Sequence, residues 1–205
     1  MNRVLLLTDG SSDRALIHPL RWLFEQHGES PEFTWADLSV GPKVKLRKDR
    51  IKVALSRYTC EILLIHRDSE NEPAAKRRDE IAEVMQSQRT YLPVIPVRMS
   101  EAWLLFNEGA IRTAAGNPNG REPLELPKWD DKVERLTDPK QMLHQALRQV
   151  SGLAGRRRAD FEVYPASHRL AQIIPTYEPL RKLSSFKILE RQLIELLGIG
   201  EIDIE

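Results

Sequence analysis

Two short, uninterrupted apolar runs constrain the fold of this 205-residue chain more than any other feature. Residues 4–8 (VLLLT) end at the acidic turn DGSSD, and residues 62–67 (ILLIHR) end at the acidic turn DSE. Apolar runs of this length that stop at a turn are typical of strands buried on both faces, as in a parallel sheet. Because such sheets place their sites at the carboxyl ends of the strands, both acidic turns are predicted to share one rim.

The periodicity of apolar residues alternates along the first half of the chain between that of helices and that of strands. It predicts further strands at 33–38 and 92–97 and helices at 12–28, 49–58 and 73–88. Pro93 and Pro96 indicate that the strand at 92–97 lies at a sheet edge or is partly irregular. The predicted fold class is therefore α/β, a Rossmann-like and mainly parallel sheet of about four strands flanked by helices.

The chain is predicted to divide into three segments. They are an α/β domain at 1–108, a loop or insert at 109–137, and a helical elaboration packed on the sheet at 138–205. The middle segment contains the run GNPNG and has little periodicity, which favours a long surface loop. Asp138, followed by a proline, and Ser184 or Ser185 are expected to cap two helices of the last segment, the second ending at Gly198.

Composition limits the classes of function. The formal net charge is only +1, from 31 basic and 30 acidic residues, so binding of nucleic acid would depend on local basic runs. These runs lie at 43–50, 76–78 and 156–158, and each is either a phosphate contact or a solvated face. The single cysteine, Cys60, excludes an intramolecular disulfide and fits a reducing cytoplasm. No apolar stretch approaches the roughly 18 residues of a membrane span.

The acidic turns predict a metal site. If the two strands are neighbours, Asp9, Asp13, Asp68 and Glu70 converge, and like charges about 4 Å apart repel by about 4 kcal/mol at an effective dielectric near 20. A divalent cation would compensate that repulsion, and oxygen ligands favour Mg²⁺ or Mn²⁺ over Zn²⁺. His66, one residue before the end of the second run, is expected to be a packed strand residue outside the site.

The two acidic turns also resemble the motifs of a known family. Residues 9–13 (DGSSD) resemble the Glu-Gly-x-x-Asp motif, and residues 68–70 (DSE) the Asp-x-Asp motif, of the Toprim domain found in topoisomerases, primases and overcoming-lysogenization-defect nucleases. Residues 97–105 (VRMSEAWLL) resemble DUF4276, a family of small stand-alone Toprim-like proteins. The resemblance implies a Mg²⁺- or Mn²⁺-dependent phosphoryl-transfer site acting on nucleic acid, as in a nuclease.

The resemblance also implies a role for each acidic or basic residue near the rim. The implied catalytic residues are Asp9, Asp68 and Glu70; the implied metal ligands are Asp9, Asp13, Asp68 and Glu70, with Glu101 completing a second site; the implied phosphate-binding residues are Arg67 and Arg98. Apart from the resemblance, the turn formed by Gly10, Ser11 and Ser12 at a helix N-terminus could bind phosphate through its backbone N–H groups, as in a nucleotide-binding or sensing module without hydrolysis. Two of these residues have a structural alternative. Asp13 is equally a capping carboxylate at a helix start, and Glu101 is equally a partner for Arg98.

Two functions stay open at this point. The first is a nuclease, with DNA favoured over RNA as the substrate, in a phage-defence or mobile-element context and with a partner such as an ATPase. The second is a catalytically inactive Toprim-like module that regulates, or that binds nucleic acid or a partner protein. A homodimer is compatible with either. The chain lacks Gly-Lys-Ser and Gly-Lys-Thr, which excludes a P-loop NTPase.

Overall fold

Four parallel strands form the centre of the fold, in the order β2-β1-β3-β4. The computed structural model describes residues 3–38, 47–70, 72–85 and 89–199. The strands are β1 (Arg3–Leu7), β2 (Glu32–Trp35), β3 (Ile62–His66) and β4 (Tyr91–Val94). This arrangement confirms the predicted α/β class, the parallel sheet of four strands and the edge position of the proline-containing strand.

Helices flank the sheet and make up most of the second half of the chain. Within the described ranges the α-helices are α1 (Ile17–Gln26), α2 (Arg47–Arg57), α3 (Ala74–Met85), α4 (Glu108–Ala114), α5 (Pro139–Val150), α6 (Gly155–Ala159), α7 (Val163–Ile173) and α8 (Ser184–Leu197). Short 3-10 helices occupy Ser12–Leu16, Ser100–Leu104, Asp131–Arg135 and Glu178–Lys182. None of the described helices is long and apolar enough to cross a membrane. The last three residues of the helix predicted at 73–88 lie outside the described residues.

The apolar runs are explained by burial on both faces of the sheet. All five residues of β3 are buried. Since side chains alternate along a strand, Val4 and Leu6 face a large core shared with α1, α5, α7 and α8, whereas Leu5 and Leu7 face a smaller core with α2 and α3. The helices α5, α7 and α8 therefore share one core with the sheet.

The turns after β1, β3 and β4 lie side by side at one rim, because these strands are neighbours. Leu7 of β1 pairs with Ile65 of β3. Pairing between β3 and β4 continues past the strands themselves, since Ser69 N donates to the Pro96 carbonyl at 3.1 Å and Glu70 N donates to the Arg98 carbonyl at 3.0 Å. The carboxyl ends of three strands thus meet where the sequence predicted the site.

The segment at 109–137 is less irregular than the sequence indicated. The expectation of a long loop is wrong over α4, which begins where the Asn107 side chain accepts from Ala110 N at 2.9 Å. Ala110 and Ile111 are buried in the large core. Alanine and glycine gave this helix a weak apolar pattern, which is why periodicity missed it. The division of the chain at 108 and 137 stays a prediction.

The starts and ends of the later helices were predicted in part. Asp138 caps α5 by accepting from Gln141 N at 2.8 Å, and Gly198 ends α8 with a φ of 66°. The start of α8 has a different cap, because the carboxylate of Glu134 accepts from Ser184 Oγ at 2.8 Å and from both Oγ and N of Ser185. A distant carboxylate therefore supplies the negative charge at this helix N-terminus.

Acid should destabilise the fold through His18 of α1. Its ring meets that of His168 in α7 edge-on at 5.4 Å, and burial, then the charges of His168, Arg21 and Arg14, lower the pKa of His18 from 6.5 to about 4. The unfolded chain therefore takes up a proton first, so stability is present above pH 6.5 and is lost as the pH falls towards 4. Because the ring is half-buried, we expect about 1 kcal/mol after allowance for solvent screening.

Urea unfolding at pH 7.5 and pH 4.5 measures this effect. Other carboxylates also respond to acid, so the quantity to compare is the pH-dependent loss in the unmodified protein against that in His18→Gln, which carries no titrating ring. A smaller loss in His18→Gln is the expected result. Equal losses in the two proteins would contradict the role given to His18.

Candidate metal centre

Three side chains converge at the rim of the sheet: Asp13, His66 and Asp68. One ligand atom from each lies within 4.8 Å of the other two, an arrangement that could hold a metal ion. The Nε2 atom of His66 is 3.1 Å from Asp68 Oδ1, and its Nδ1 atom is 3.7 Å from Asp13 Oδ2. His66 ends β3, Asp68 follows it by two residues, and Asp13 lies in the 3-10 helix after β1. The group thus draws on two neighbouring strands.

The two carboxylates are held in place by backbone and hydroxyl donors. Gly10 N donates to Asp13 Oδ2 at 3.1 Å, and Ser100 Oγ donates to Asp13 Oδ1 at 3.3 Å. Ser100 N donates to Asp68 Oδ1 at 2.9 Å. A single residue beyond β4 therefore bonds to both carboxylates. Ligands fixed in this way are ready for an ion, since their orientation needs no further ordering.

His66 sits between the two carboxylates with only 1% of its surface exposed. Burial lowers its pKa, but the hydrogen bond to Asp68 and the charges of Asp68, Asp13 and Asp9 outweigh burial, so the pKa of His66 is raised. Its Nδ1 atom is buried and has no hydrogen-bond partner among the described residues. A metal ion would satisfy that nitrogen, and its binding would compete with protonation of the ring, which the raised pKa favours.

Asp9 and Glu70 do not join this group, so the predicted convergence of four carboxylates is confirmed only for Asp13 and Asp68. The catalytic roles of Asp9, Asp68 and Glu70 stay a prediction. Asp9 Oδ2 is 2.8 Å from Arg67 Nε, and half of the Asp9 side chain is exposed. The backbone of Glu70 has a φ of 55°, and its carboxylate is 66% exposed and 3.7 Å from Arg77. In an extended chain Asp68 and Glu70 would share a face. The left-handed backbone conformation of Glu70 instead directs its side chain away from Asp68.

Glu101 is buried next to the metal centre but is held by a lysine. Its Oε1 atom is 3.1 Å from the Nζ atom of Lys140 in α5, and the pairing with Arg98 expected from sequence stays a prediction. Burial raises the pKa of Glu101 against the opposing effect of Lys140. Glu101 lies outside the Asp13, His66 and Asp68 group, and its place in a second metal site stays a prediction.

The predicted phosphate-binding residues lie at the same rim. The Gly10 N–H is committed to Asp13, and a Cβ added there would be 3.3 Å from Asp13 Oδ2. Arg67 pairs with Asp9. Arg98 has a φ of 65°, and its carbonyl accepts a hydrogen bond from Glu70 N. Ser11 is exposed, whereas Ser12 lines a cleft beside the metal centre. Phosphate binding by these residues stays a prediction.

A narrow cleft leads away from Asp13 between the sheet and the helices of the second half. It holds about 30 Å³, the space of one or two water molecules. On the sheet side it is lined by Asp13, Ser100 and Glu101, and on the helix side by His144 of α5 and Tyr164 of α7. The metal centre is therefore continuous with a cleft that the helical segment completes.

The three basic runs lie in different surroundings. Residues 43–46 of the first are outside the described residues, and Arg50 at its end donates to the Thr8 carbonyl at 2.8 Å. In the second, Lys76 pairs with Glu72 at 2.9 Å. The third forms most of α6 and is exposed to solvent. Of the three, the third is joined directly to the helix that bears Tyr164.

Sequence reasoning missed His66, although a signal was present. His66 and Asp68 are two residues apart at the end of a strand, and side chains with that spacing share a face. Placing Asp68 in the site therefore also places His66 there. The general tendency of a lone strand histidine to be a packing residue outweighed this spacing in the prediction from sequence.

Comparisons with protein-family models, with curated proteins and with solved structures gave no match for this chain. Function must therefore be argued from the site. The resemblance to Toprim proteins, which rests on the two acidic turns, and the resemblance to DUF4276, which rests on residues 97–105, stay predictions.

Removing the imidazole should weaken metal binding. We expect His66→Ala to lower the affinity for Mn²⁺ by at least about 100-fold. Mutation of residues that only orient a metal ligand already lowers metal affinity by about 10- to 100-fold, and loss of a ligand itself should cost at least as much. Calorimetric titration of purified protein with MnCl₂ measures this. Glu70→Ala is the matched control, since its exposed carboxylate lies outside the group, and unchanged binding is expected. Equal affinity in His66→Ala and the unmodified protein would remove His66 from the ligand set.

Proposed function

We propose that the protein is a divalent-metal-dependent phosphodiesterase acting on nucleic acid, a nuclease in the broad sense. The observation that carries the proposal is the convergence of Asp13, His66 and Asp68 within 4.8 Å at the carboxyl ends of parallel strands. This rim is where open α/β sheets place their ligands. The Nδ1 atom of His66 is buried and has no hydrogen-bond partner in the described part of the chain, which supports metal binding over a purely structural cluster.

The ligand set favours Mn²⁺ or Mg²⁺. Two carboxylates suit both ions, and the added imidazole moves the preference towards Mn²⁺. When bound, such an ion neutralises charge on a phosphate and lowers the pKa of a water molecule. Asp13, His66 and Asp68 would hold it, with Ser100 keeping both carboxylates in position. Arg67, held beside the rim by Asp9, supplies a guanidinium that can bind phosphate oxygens.

One observation favours the second candidate function, a regulatory or binding module without turnover. The raised pKa of His66 favours a protonated imidazole, which can itself offset one of the two negative charges of Asp13 and Asp68. In that state the ring contacts both carboxylates without a metal ion. The two functions therefore differ in one measurable property, which is whether a divalent ion displaces the proton of His66.

Incubation of purified protein with supercoiled plasmid, single-stranded DNA and RNA tests the proposal. Each substrate is combined with MnCl₂, MgCl₂ or EDTA. Cleavage with either ion and none with EDTA is the expected result. Absence of cleavage, with Mn²⁺ binding still detected by calorimetry, would favour the regulatory module or an enzyme that requires a partner such as an ATPase. A role in phage defence stays a prediction.

A further inference from the structure

The cleft beside the metal centre is bordered by an exposed aromatic side chain. Tyr164, near the start of α7, is 58% exposed, and Ile188 at 38% is the other large apolar side chain left exposed in the part of the chain described. Tyr164 lines the same cleft as Asp13. An aromatic ring in this position is available to a ligand that also reaches the metal centre.

Neighbouring side chains hold the Tyr164 ring without covering it. The Nζ atom of Lys140 lies 5.7 Å from the ring centroid, and the His144 ring meets it edge-on at 5.2 Å. Lys140 is in turn fixed by its ion pair with Glu101. The ring is thus oriented by contacts on the protein side and keeps most of its surface open. An oriented ring loses little freedom when a planar ligand stacks on it.

Three positively charged side chains lie just before the start of α7. Arg156, Arg157 and Arg158 are exposed on α6, which directly precedes α7. Arg158 and Tyr164 are six residues apart, so their Cα atoms are within about 20 Å of each other. A polynucleotide that stacks a base on Tyr164 has backbone phosphates within reach of these arginines.

The cleft also presents a buried donor. Trp103 lines it with 1% of its surface exposed, and its Nε1 atom has no hydrogen-bond partner among the described residues. Trp103 is too buried to stack on a base. A tryptophan nitrogen can only donate, so this buried N–H lacks an acceptor among the described residues.

We propose that Tyr164, at the mouth of the cleft, and the arginines of α6 bind single-stranded nucleic acid. One base stacks on Tyr164, and neighbouring phosphates are held by Arg156, Arg157 and Arg158. A duplex does not fit this arrangement, because its bases are already stacked on each other and present no free face to a side chain. The inference rests on the proposed function in that it names the form of the substrate, and it is tested without turnover.

Fluorescence anisotropy in EDTA tests the inference. The probes are fluorescein-labelled dT12, rU12 and a blunt 12-base-pair DNA duplex, and the proteins are the unmodified chain, Tyr164→Ala, Tyr164→Phe and Ile188→Ala. We expect Tyr164→Ala to weaken dT12 binding about 5- to 100-fold, the range for loss of one stacked base. Tyr164→Phe keeps the ring and Ile188→Ala removes a different exposed side chain, so both should bind as the unmodified protein does.

Salt dependence tests the arginines separately. Replacing Arg156, Arg157 and Arg158 together with alanine should reduce the slope of log affinity against log salt by about 2, because each phosphate neutralised on a single strand adds about 0.7 to that slope. Comparison of dT12 with rU12 shows whether the site distinguishes DNA from RNA. Circular dichroism of each variant establishes that the fold is retained.

Three outcomes would overturn the inference: equal dT12 binding by Tyr164→Ala and the unmodified protein, duplex binding as tight as dT12 binding, or no binding of either single strand. Its failure is separable from that of the proposed function. Metal-dependent cleavage that is unaffected by Tyr164→Ala would support the proposed nuclease and contradict strand binding at Tyr164. Tyr164-dependent binding with no cleavage in Mn²⁺ would leave a single-strand-binding module.

Discussion

We expect Asp68→Asn to lower the proposed metal-dependent cleavage of nucleic acid by about 10³-fold while leaving the fold intact. Asp68 accepts hydrogen bonds from His66 and from Ser100 N, and it is one of the three converging ligands. Asparagine keeps the shape and one acceptor oxygen for Ser100 but removes the negative charge that attracts a cation. Charge stabilisation by a bound metal is worth several kcal/mol, which corresponds to a loss of this size.

The measurement is the initial rate of cleavage of a labelled strand at saturating MnCl₂. Glu70→Gln makes the same kind of change two residues away, at a carboxylate that lies outside the group, and we expect it to keep its rate within a few fold. The reverse result, with Glu70→Gln inactive and Asp68→Asn active, would restore the set of Asp9, Asp68 and Glu70 predicted from sequence. A melting curve for each variant separates loss of the site from loss of the fold.

The largest effect on stability is expected from Glu190→Ala in α8. The carboxylate of Glu190 is 2% exposed, and its Oε1 atom is 2.9 Å from His27 Nε2 and 2.7 Å from Arg181 Nη2. His27 follows α1, and the guanidinium of Arg181 lies 5.2 Å from the centre of the Trp22 ring. One buried carboxylate therefore joins α1, α8 and the 3-10 helix at Glu178–Lys182.

Removing this carboxylate leaves the buried His27 and the partly buried Arg181 without their shared partner. We expect the free energy of unfolding to fall by about 3 to 5 kcal/mol, the usual cost of breaking a buried ion pair. Urea unfolding measures it. Glu195→Ala, at an exposed position of the same helix, is the control and should change stability by no more than about 0.5 kcal/mol. Similar losses in both variants would mean that Glu190 adds nothing beyond helix propensity.

The parts of the fold that depend on local pattern were predictable. Burial on both faces gives β1 and β3 their uninterrupted apolar runs, so their parallel pairing and common rim could be expected from sequence. The cap at Asp138 and the end at Gly198 are likewise local. The cap of α8 was not predictable, because Glu134 reaches it only through tertiary packing.

The site was predictable only in part for the same reason. Asp13 and Asp68 were placed correctly because each follows a strand. The direction of a side chain beyond a strand depends on backbone angles and on partners distant in sequence. The left-handed turn at Glu70 and the pairing of Asp9 with Arg67 are of this kind. So is the bond from Ser100 to Asp68, which no periodicity indicates.

The bonds made by Ser100 have a consequence for the order in which the chain assembles. They span 87 residues to Asp13 and 32 residues to Asp68, so both close large loops. Contacts of such separation form slowly, because the chain must lose much freedom before they close. The group of Asp13, His66 and Asp68 is therefore complete only once β1, β3 and β4 are in register. In a refolding experiment, Mn²⁺ uptake would report completion of the sheet, whereas helical signal would rise earlier.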